Sequence, residues 1–262
     1  MNARRVWALT LRQLYLMRRS FARITDLFYW PLLDLFFFGF LSLYLGRQGR
    51  VPLLVGLLLG ALILWDIFFR VQQAISVSFL TELWTRNLVN LFVTPLTVGE
   101  FLVAMMVWGI IKISITVTLM ATVAFALYHF NIFTLGLSLV PLVAALILFA
   151  WAVGTAITAL ILRYGQSAES LAWSLAFLFQ PFGAVFFPLT VYPEWLRRVL
   201  VALPLPHVFE AMREVLAGAP LPASRAGWAF GLDAAYLAVA FGFFGYMFTL
   251  ARRKGLLLKL QE

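Results

Sequence analysis

Six stretches of this 262-residue sequence are apolar over lengths that water does not leave exposed. They run over about Leu27–Leu45, Val51–Phe69, Phe101–Tyr128, Thr134–Leu162, Leu171–Val191 and Trp228–Leu250. About 20 apolar residues cross a hydrocarbon core of about 30 Å as a helix, and every stretch is near or above that length. The core holds no water for backbone N–H and C=O groups, so a spanning segment is a helix or a strand of a closed barrel. Barrel strands are shorter and alternate polar with apolar residues, which none of these stretches does. The expectation is an all-α polytopic membrane protein with six transmembrane helices, built as a single domain over 1–262. Composition agrees, with 63% hydrophobic and 12% charged residues, where a soluble domain has roughly half and a quarter.

The net charge of +9 points to nucleic acid only if the basic residues cluster on a soluble face. They follow the spans instead. Arg4, Arg5, Arg12, Arg18, Arg19 and Arg23 precede the first span, and Arg252, Arg253, Lys254 and Lys259 follow the last. With six spans, Arg70, Arg86 and Arg163 share that side, which makes thirteen basic residues against six (Arg47, Arg50, Arg197, Arg198, Arg213 and Arg225) on the other. Basic loops stay on the cytosolic side. Both termini are expected in the cytosol, in a cytoplasmic (inner) membrane, with no nucleic-acid partner.

Residues 1–26 lack the continuous apolar centre of a signal peptide. Val6, Leu9, Leu14, Leu16, Met17 and Phe21 interleave with the arginines. That pattern predicts an amphipathic interfacial helix with its cations toward anionic lipid. Two connections are long. In 76–93, Leu80, Leu83, Trp84, Leu88 and Leu91 recur at helical spacing while Glu82, Thr85, Arg86 and Asn90 fall on other faces. This predicts a cytosolic amphipathic helix too polar to span. Thr94-Pro95 ends it, and Thr97-Val98-Gly99-Glu100 has the capping-box spacing that starts the next helix. In 192–218, two short amphipathic helices are expected on the outer side, one opened by Pro193 and one over about His207–Ala217 stopped by Gly218. They suit a re-entrant hairpin or a lid. His207 and Glu210 sit three apart, a spacing met more often on a polar helix face than in a metal site.

Cysteine is absent, which removes disulfides, thiolate metal sites and a Cys nucleophile. None of Lys112, Lys254 and Lys259 lies in a G-x-x-x-x-G-K-[ST] phosphate loop, so ATP hydrolysis by that route is excluded. Asp34, Asp66, Lys112 and Asp233 fall inside apolar stretches, where charge is costly unless paired or hydrated. A Lys112–Asp66 or Lys112–Asp34 pair is the cheapest arrangement, as a structural tie or as the lining of a transport path. Gly56/Gly60 and Gly227/Gly231 have helix-packing spacing, for contacts within one chain or between two.

The order of these elements resembles the ABC-2 type permeases, the membrane subunits of ATP-binding cassette exporters. The resemblance rests on the basic N-terminal helix before Tyr29-Trp30-Pro31, on Glu82-Leu-Trp-Thr-Arg-Asn-Leu88 leading to Thr94-Pro95-Leu96, and on the block from Phe187-Pro188 through Tyr192-Pro193-Glu194-Trp195-Leu196 to Leu203-Pro-Leu-Pro-His207 and Glu210-Ala-Met-Arg213. It implies that 76–93 couples to a separate ATPase, with Glu82, Arg86, Asn87 and Asn90 as contacts. It also implies that ATP and Mg are bound by that partner and not here, that a second permease copy completes the unit, and that the outer helices re-enter the membrane. Drugs, lipids, polysaccharides and ions are all substrates of such a family. Two other classes compete. A lipid-modifying membrane enzyme needs polar residues converging at one depth, and an ion-driven secondary transporter needs inverted repeats. Neither feature is evident.

Overall fold

The computed structural model describes residues 1–47 and 53–253. Arg50, Lys254, Lys259 and the start of the second expected span at Val51 lie outside them. The described chain is helical: α1 Ala3–Arg18, α2 Phe21–Arg47, α3 Leu53–Trp84, α4 Leu88–Val93, α5 Val98–Tyr128, α6 Leu139–Tyr164, α7 Glu169–Phe182, α8 Glu194–Leu200, α9 Pro204–Leu216 and α10 Ala223–Arg253, with short 3₁₀ turns before α6, α7 and α8.

α3 is the centre of the bundle. It packs on α2, α5, α6, α7 and α9, and Leu59, Ile63, Leu64, Phe68, Val71, Ile75, Phe79 and Leu80 are fully buried. Small residues let it approach its neighbours. A Cβ on Gly154 of α6 would sit 2.9 Å from the Gln72 carbonyl oxygen, and one on Gly109 of α5 would sit 3.2 Å from Ala74 Cβ. Phe68, Phe149 and Phe179 join α3, α6 and α7 through ring contacts of 5.4–5.7 Å. α3, α6 and α10 run one way, and α2 and α5 run the other. The bundle therefore has a corner end, where α3 turns into α5 beside α1, and a far end, where α8 and α9 lie.

Among the described residues, five stretches are long and apolar enough to cross a membrane: Phe21–Gly46, Val55–Trp84, Val98–Tyr128, Ile132–Phe182 and Ala223–Arg253. Ile132–Phe182 holds the fourth expected span and the helical part of the fifth, kinked at Gly165 (φ 61°). The fifth stretch departs from the expected Leu171–Val191. α7 has 14 residues, a rise of about 21 Å, short of a hydrocarbon core of about 30 Å. Pro181 removes a backbone donor from its last turn. At Gly183 a Cβ would sit 2.6 Å from the Phe179 carbonyl oxygen and 3.0 Å from Leu205, so only glycine fits where α9 crosses the end of α7.

Two other boundaries move. The N-terminal segment is two helices, because the chain breaks at Arg19-Ser20 and α2 already begins at Phe21. Pro31 lies inside α2, not at its start. The expected separate helix over 76–93 does not exist as such. Residues 76–84 are the end of α3, and only the six-residue α4 follows a break at Arg86, whose φ is 53°. Arg70, placed by sequence in a cytosolic loop, is inside α3 and 3% exposed.

Gly56 and Gly60 face Phe130, Leu216 and Met212 of the same chain, whereas Gly227 and Gly231 have open space at their Cβ positions.

Candidate functional site

The corner is assembled from two segments far apart in sequence, residues 2–12 and residues 82–104. α3 ends at Trp84. Arg86 takes the left-handed conformation that reverses the chain. Asn87 stands at the N-cap position of α4 without a side-chain capping bond, and Thr94-Pro95 ends the helix in extended backbone. The capping box expected at Thr97 forms: Thr97 Oγ1 accepts from the Glu100 N–H at 3.2 Å, and Glu100 Oε2 accepts from the Thr97 N–H at 2.9 Å. Two orphan donors at the start of α5 are satisfied reciprocally, which fixes its entry angle.

α1 is tied to this corner by two buried carboxylates. Glu100 Oε1 accepts from the Asn2 N–H at 2.7 Å, Arg5 lies 3.6 Å from Glu100 Oε2, and an Arg5 guanidinium N–H also donates to the Pro95 carbonyl. Glu82 accepts from Arg12 through both oxygens, at 2.5 and 3.0 Å, and from Asn87 Nδ2 at 2.7 Å. A bidentate guanidinium on a carboxylate is directional as well as strong. Thr10 Oγ1 adds a bond to the Ala104 carbonyl at 3.3 Å. The corner and the N-terminal helix form one clamped unit.

This corrects the reading of Glu82. Assigned from sequence to a polar face open to a partner, it is 1% exposed and its acceptor sites are taken by Arg12 and Asn87. Asn87 is half-buried on Glu82, while Trp84, Thr85, Arg86, Asn90, Val93, Thr94 and Pro95 make the exposed skin. Arg5, Arg12 and Asn2 were missed as corner residues. Their partners lie 70 to 98 residues away, and the amphipathic pattern shows only that α1 has a polar face.

The interior charges also pair differently from expectation. Asp66 accepts from Arg70 Nε at 2.8 Å through both oxygens, one turn along α3, with side chains 7% and 3% exposed. Arg70 was not considered because its position in the sequence read as a loop. Asp34 is half-buried and feels Arg70 electrostatically. Lys112 Nζ has Asp26 Oδ2 at 4.0 Å, beyond hydrogen-bond reach, and neither Asp66 nor Asp34 as a direct partner. Asp26 immediately precedes the apolar Leu27–Leu45 stretch, so Lys112 is level with the entrance of that span and not with its middle.

At the far end, Arg213 donates to the Ala184 carbonyl, to the Val185 carbonyl at 2.7 Å and to Glu210 at 3.1 Å. Glu210 also accepts from the Leu189 N–H at 2.8 Å. The irregular segment after α7 thus has its backbone groups satisfied by α9. Burial pulls the Arg213 pKa down from its ordinary value, opposed by Glu210. His207 does not share a ligand position with Glu210: its Nε2 meets the Val201 carbonyl at 2.8 Å and its ring stacks on Trp228. Gly218, at φ 90°, stops α9 as its position foretold.

A bundle of long apolar helices with a clamped corner at one end and a packed hairpin at the other defines a multi-pass helical membrane protein. The ABC-2 type transporter family matches residues 4–217, and the chain belongs to that family. It is a transmembrane permease with multiple membrane-spanning helices, the membrane subunit of an ABC transporter, and the family implies an ABC ATPase as its partner. No curated protein matches the chain.

Proposed function

We propose that this chain is the permease of an exporter, that its corner end faces the cytosol, and that the corner receives the movement of a separate ATPase which binds the ATP and Mg. The observation that supports this most is the join between two long helices. α3 has 32 residues and α5 has 31, about 48 and 46 Å, so each extends well beyond a core of about 30 Å. A rotation imposed on the projecting corner is carried into the bundle by two stiff helices, where a flexible loop would absorb it. α1 moves with the corner through Glu82 and Glu100.

The exposed residues suit docking. Val93 is 80% exposed and Trp84 41%, apolar groups beside the polar Arg86 and Asn90. Arg86 and Asn90 touch the ATPase directly, and Glu82 and Asn87 hold the shape of the surface from behind. In this reading α7, α8 and α9 complete a sixth crossing as a re-entrant hairpin on the outer side, and a second permease copy builds the path. The apolar spans favour an amphipathic or lipid-linked substrate.

The test is co-purification of the ATPase with Arg86→Glu and Val93→Asp variants. The ATPase should be lost while the melting temperature of the permease is unchanged. Full retention of the ATPase and of transport in both would remove the corner as the docking element. Thiol labelling in intact cells sets the orientation, since the chain has no native cysteine. A cysteine at Arg197 should react with an impermeant thiol reagent added outside intact cells, and one at Thr85 should not. The reverse pattern inverts the topology.

A further inference from the structure

A cavity of about 330 Å³ lies behind α1, enclosed by α1, α2, α3, α5 and one residue of α7. It is within the size range of small-ligand sites. Lys112, Arg23 and Asp26 line it, two cations against one carboxylate. Their pairing is incomplete: Lys112 stands 4.0 Å from Asp26, and Arg23 makes no ion pair among the described residues. Lys112 is 17% exposed at its side chain, so three ammonium donors are largely withdrawn from water.

Two amides point to a ligand independently. Gln13 and Gln73 line the cavity and are 5% and 6% exposed. Neither side chain makes a hydrogen bond among the described residues. Their amide atoms are not sealed in the protein interior but open onto the cavity, where they can bond what enters it. With Lys112 and Arg23 against Asp26 alone, the cavity carries an excess of positive charge, and the two amides add both donors and acceptors. What satisfies such a set is a compact, acceptor-rich anion.

The remaining wall mixes small, aliphatic and hydroxyl side chains with three tryptophans. Trp84, Trp108 and Trp173 line it, the residue type that sits at the level of lipid headgroups. Asp26 marks that level, being the last charge before the first apolar span.

We propose that this cavity binds the phosphate of an anionic lipid headgroup from the inner leaflet. Lys112 and Arg23 contact the phosphate oxygens, Gln13 and Gln73 take the headgroup hydroxyls or the remaining oxygens, and the acyl chains lie outside against the helices. Basic pockets between membrane helices on the cytosolic side bind headgroups by this chemistry. The inference rests on the orientation given above but not on coupling, and the test uses neither ATPase nor ATP.

The experiment is native mass spectrometry of the purified chain, titrated with phosphatidylglycerol, with phosphatidylcholine and with inorganic phosphate. Wild type should retain phosphatidylglycerol in preference to phosphatidylcholine. Lys112→Met and Arg23→Met should each weaken that retention by about tenfold, the loss of one charge-assisted hydrogen bond. Lys112→Arg should keep most of it, and Arg198→Met, an exposed charge at the far end, should keep all of it. Ala22→Trp plugs the cavity from an exposed position and leaves both cations in place, so its loss of binding separates the site from folding defects. Equal retention of both lipids, unchanged binding in Ala22→Trp and Lys112→Met, or displacement of the lipid by millimolar inorganic phosphate would each overturn the assignment, the last by making free phosphate the ligand.

Discussion

The corner end and the far end are both held by arginine–carboxylate contacts; Arg225–Glu214 joins α10 to α9 in the same exposed manner as the corner pairs, but Arg213–Glu210 is built differently. At the corner, the arginine side chains are 39% and 35% exposed while Glu100 and Glu82 are 2% exposed, and each pair joins one helix to another. At the far end, Arg213 and Glu210 are both 14% exposed, lie on the same helix, and spend their remaining hydrogen bonds on backbone groups of Ala184, Val185 and Leu189. A pair reached by water can open and re-form as helices shift, and salt screens it. A more shielded pair that also satisfies backbone carbonyls loses several bonds at once when it breaks. The corner is made to move as a unit, and the far end to keep an irregular segment in one conformation.

The largest effect should therefore come from Arg213→Met. It leaves Glu210 with the Leu189 N–H and takes the donor from two carbonyls, all partly shielded from water, at a cost of about 1–3 kcal/mol for each under-satisfied group. The melting temperature of the purified permease should drop sharply and barely respond to salt. A change no larger than that of an exposed arginine such as Arg198 would show that water replaces the guanidinium, and the contrast between the two ends would disappear.

The next effect lies at the corner. Arg12→Ala leaves Glu82 with the Asn87 side chain as its remaining partner among the described residues, at a cost of about 1–3 kcal/mol for an under-satisfied buried acceptor. The loss should shrink as salt rises, because the wild-type pair itself is screened. Exchanging the charges, Arg12→Glu with Glu82→Arg, should recover part of the stability if the pair is a tie. No recovery, with both single variants neutral, would mean that α1 is held by packing alone.

These two regions also show what a sequence reveals. The capping box at Thr97–Glu100, the stop at Gly218 and the apolar faces of α3 and α9 depend on neighbours within one or two turns, and they were legible. The membrane class followed from run length alone. What was not legible depends on contacts across the fold. Glu82 reads as a surface residue until Arg12 is brought to it. Lys112 reads as a mid-membrane charge until α5 is seen to project past the start of α2. The α3 continuation through residue 84 was hidden because the polar residues after Phe69 read as the end of a span and 76–93 as a separate surface helix when the helices that cover them are unknown. The fifth span was overestimated because hydropathy registers apolar residues and not the close approach of Leu205 that needs Gly183.

The smallest effect is expected at Lys112 and Asp26. Their separation of 4.0 Å and the 45% exposure of Asp26 describe an ion pair near water, worth about 0–1 kcal/mol. Asp26→Asn should leave the melting temperature almost unchanged, and Lys112→Met should cost little more, since the lysine's neighbours lose no hydrogen bond. A double variant should add the two single effects with little coupling. The lysine then differs in kind from Arg12 and Arg213: its charge is retained for something other than stability, and a lipid phosphate in the cavity would be what it serves. Destabilisation by Asp26→Asn as large as that of Arg12→Ala would place Lys112 among the structural ties of the corner, and its donors would no longer be available to a ligand.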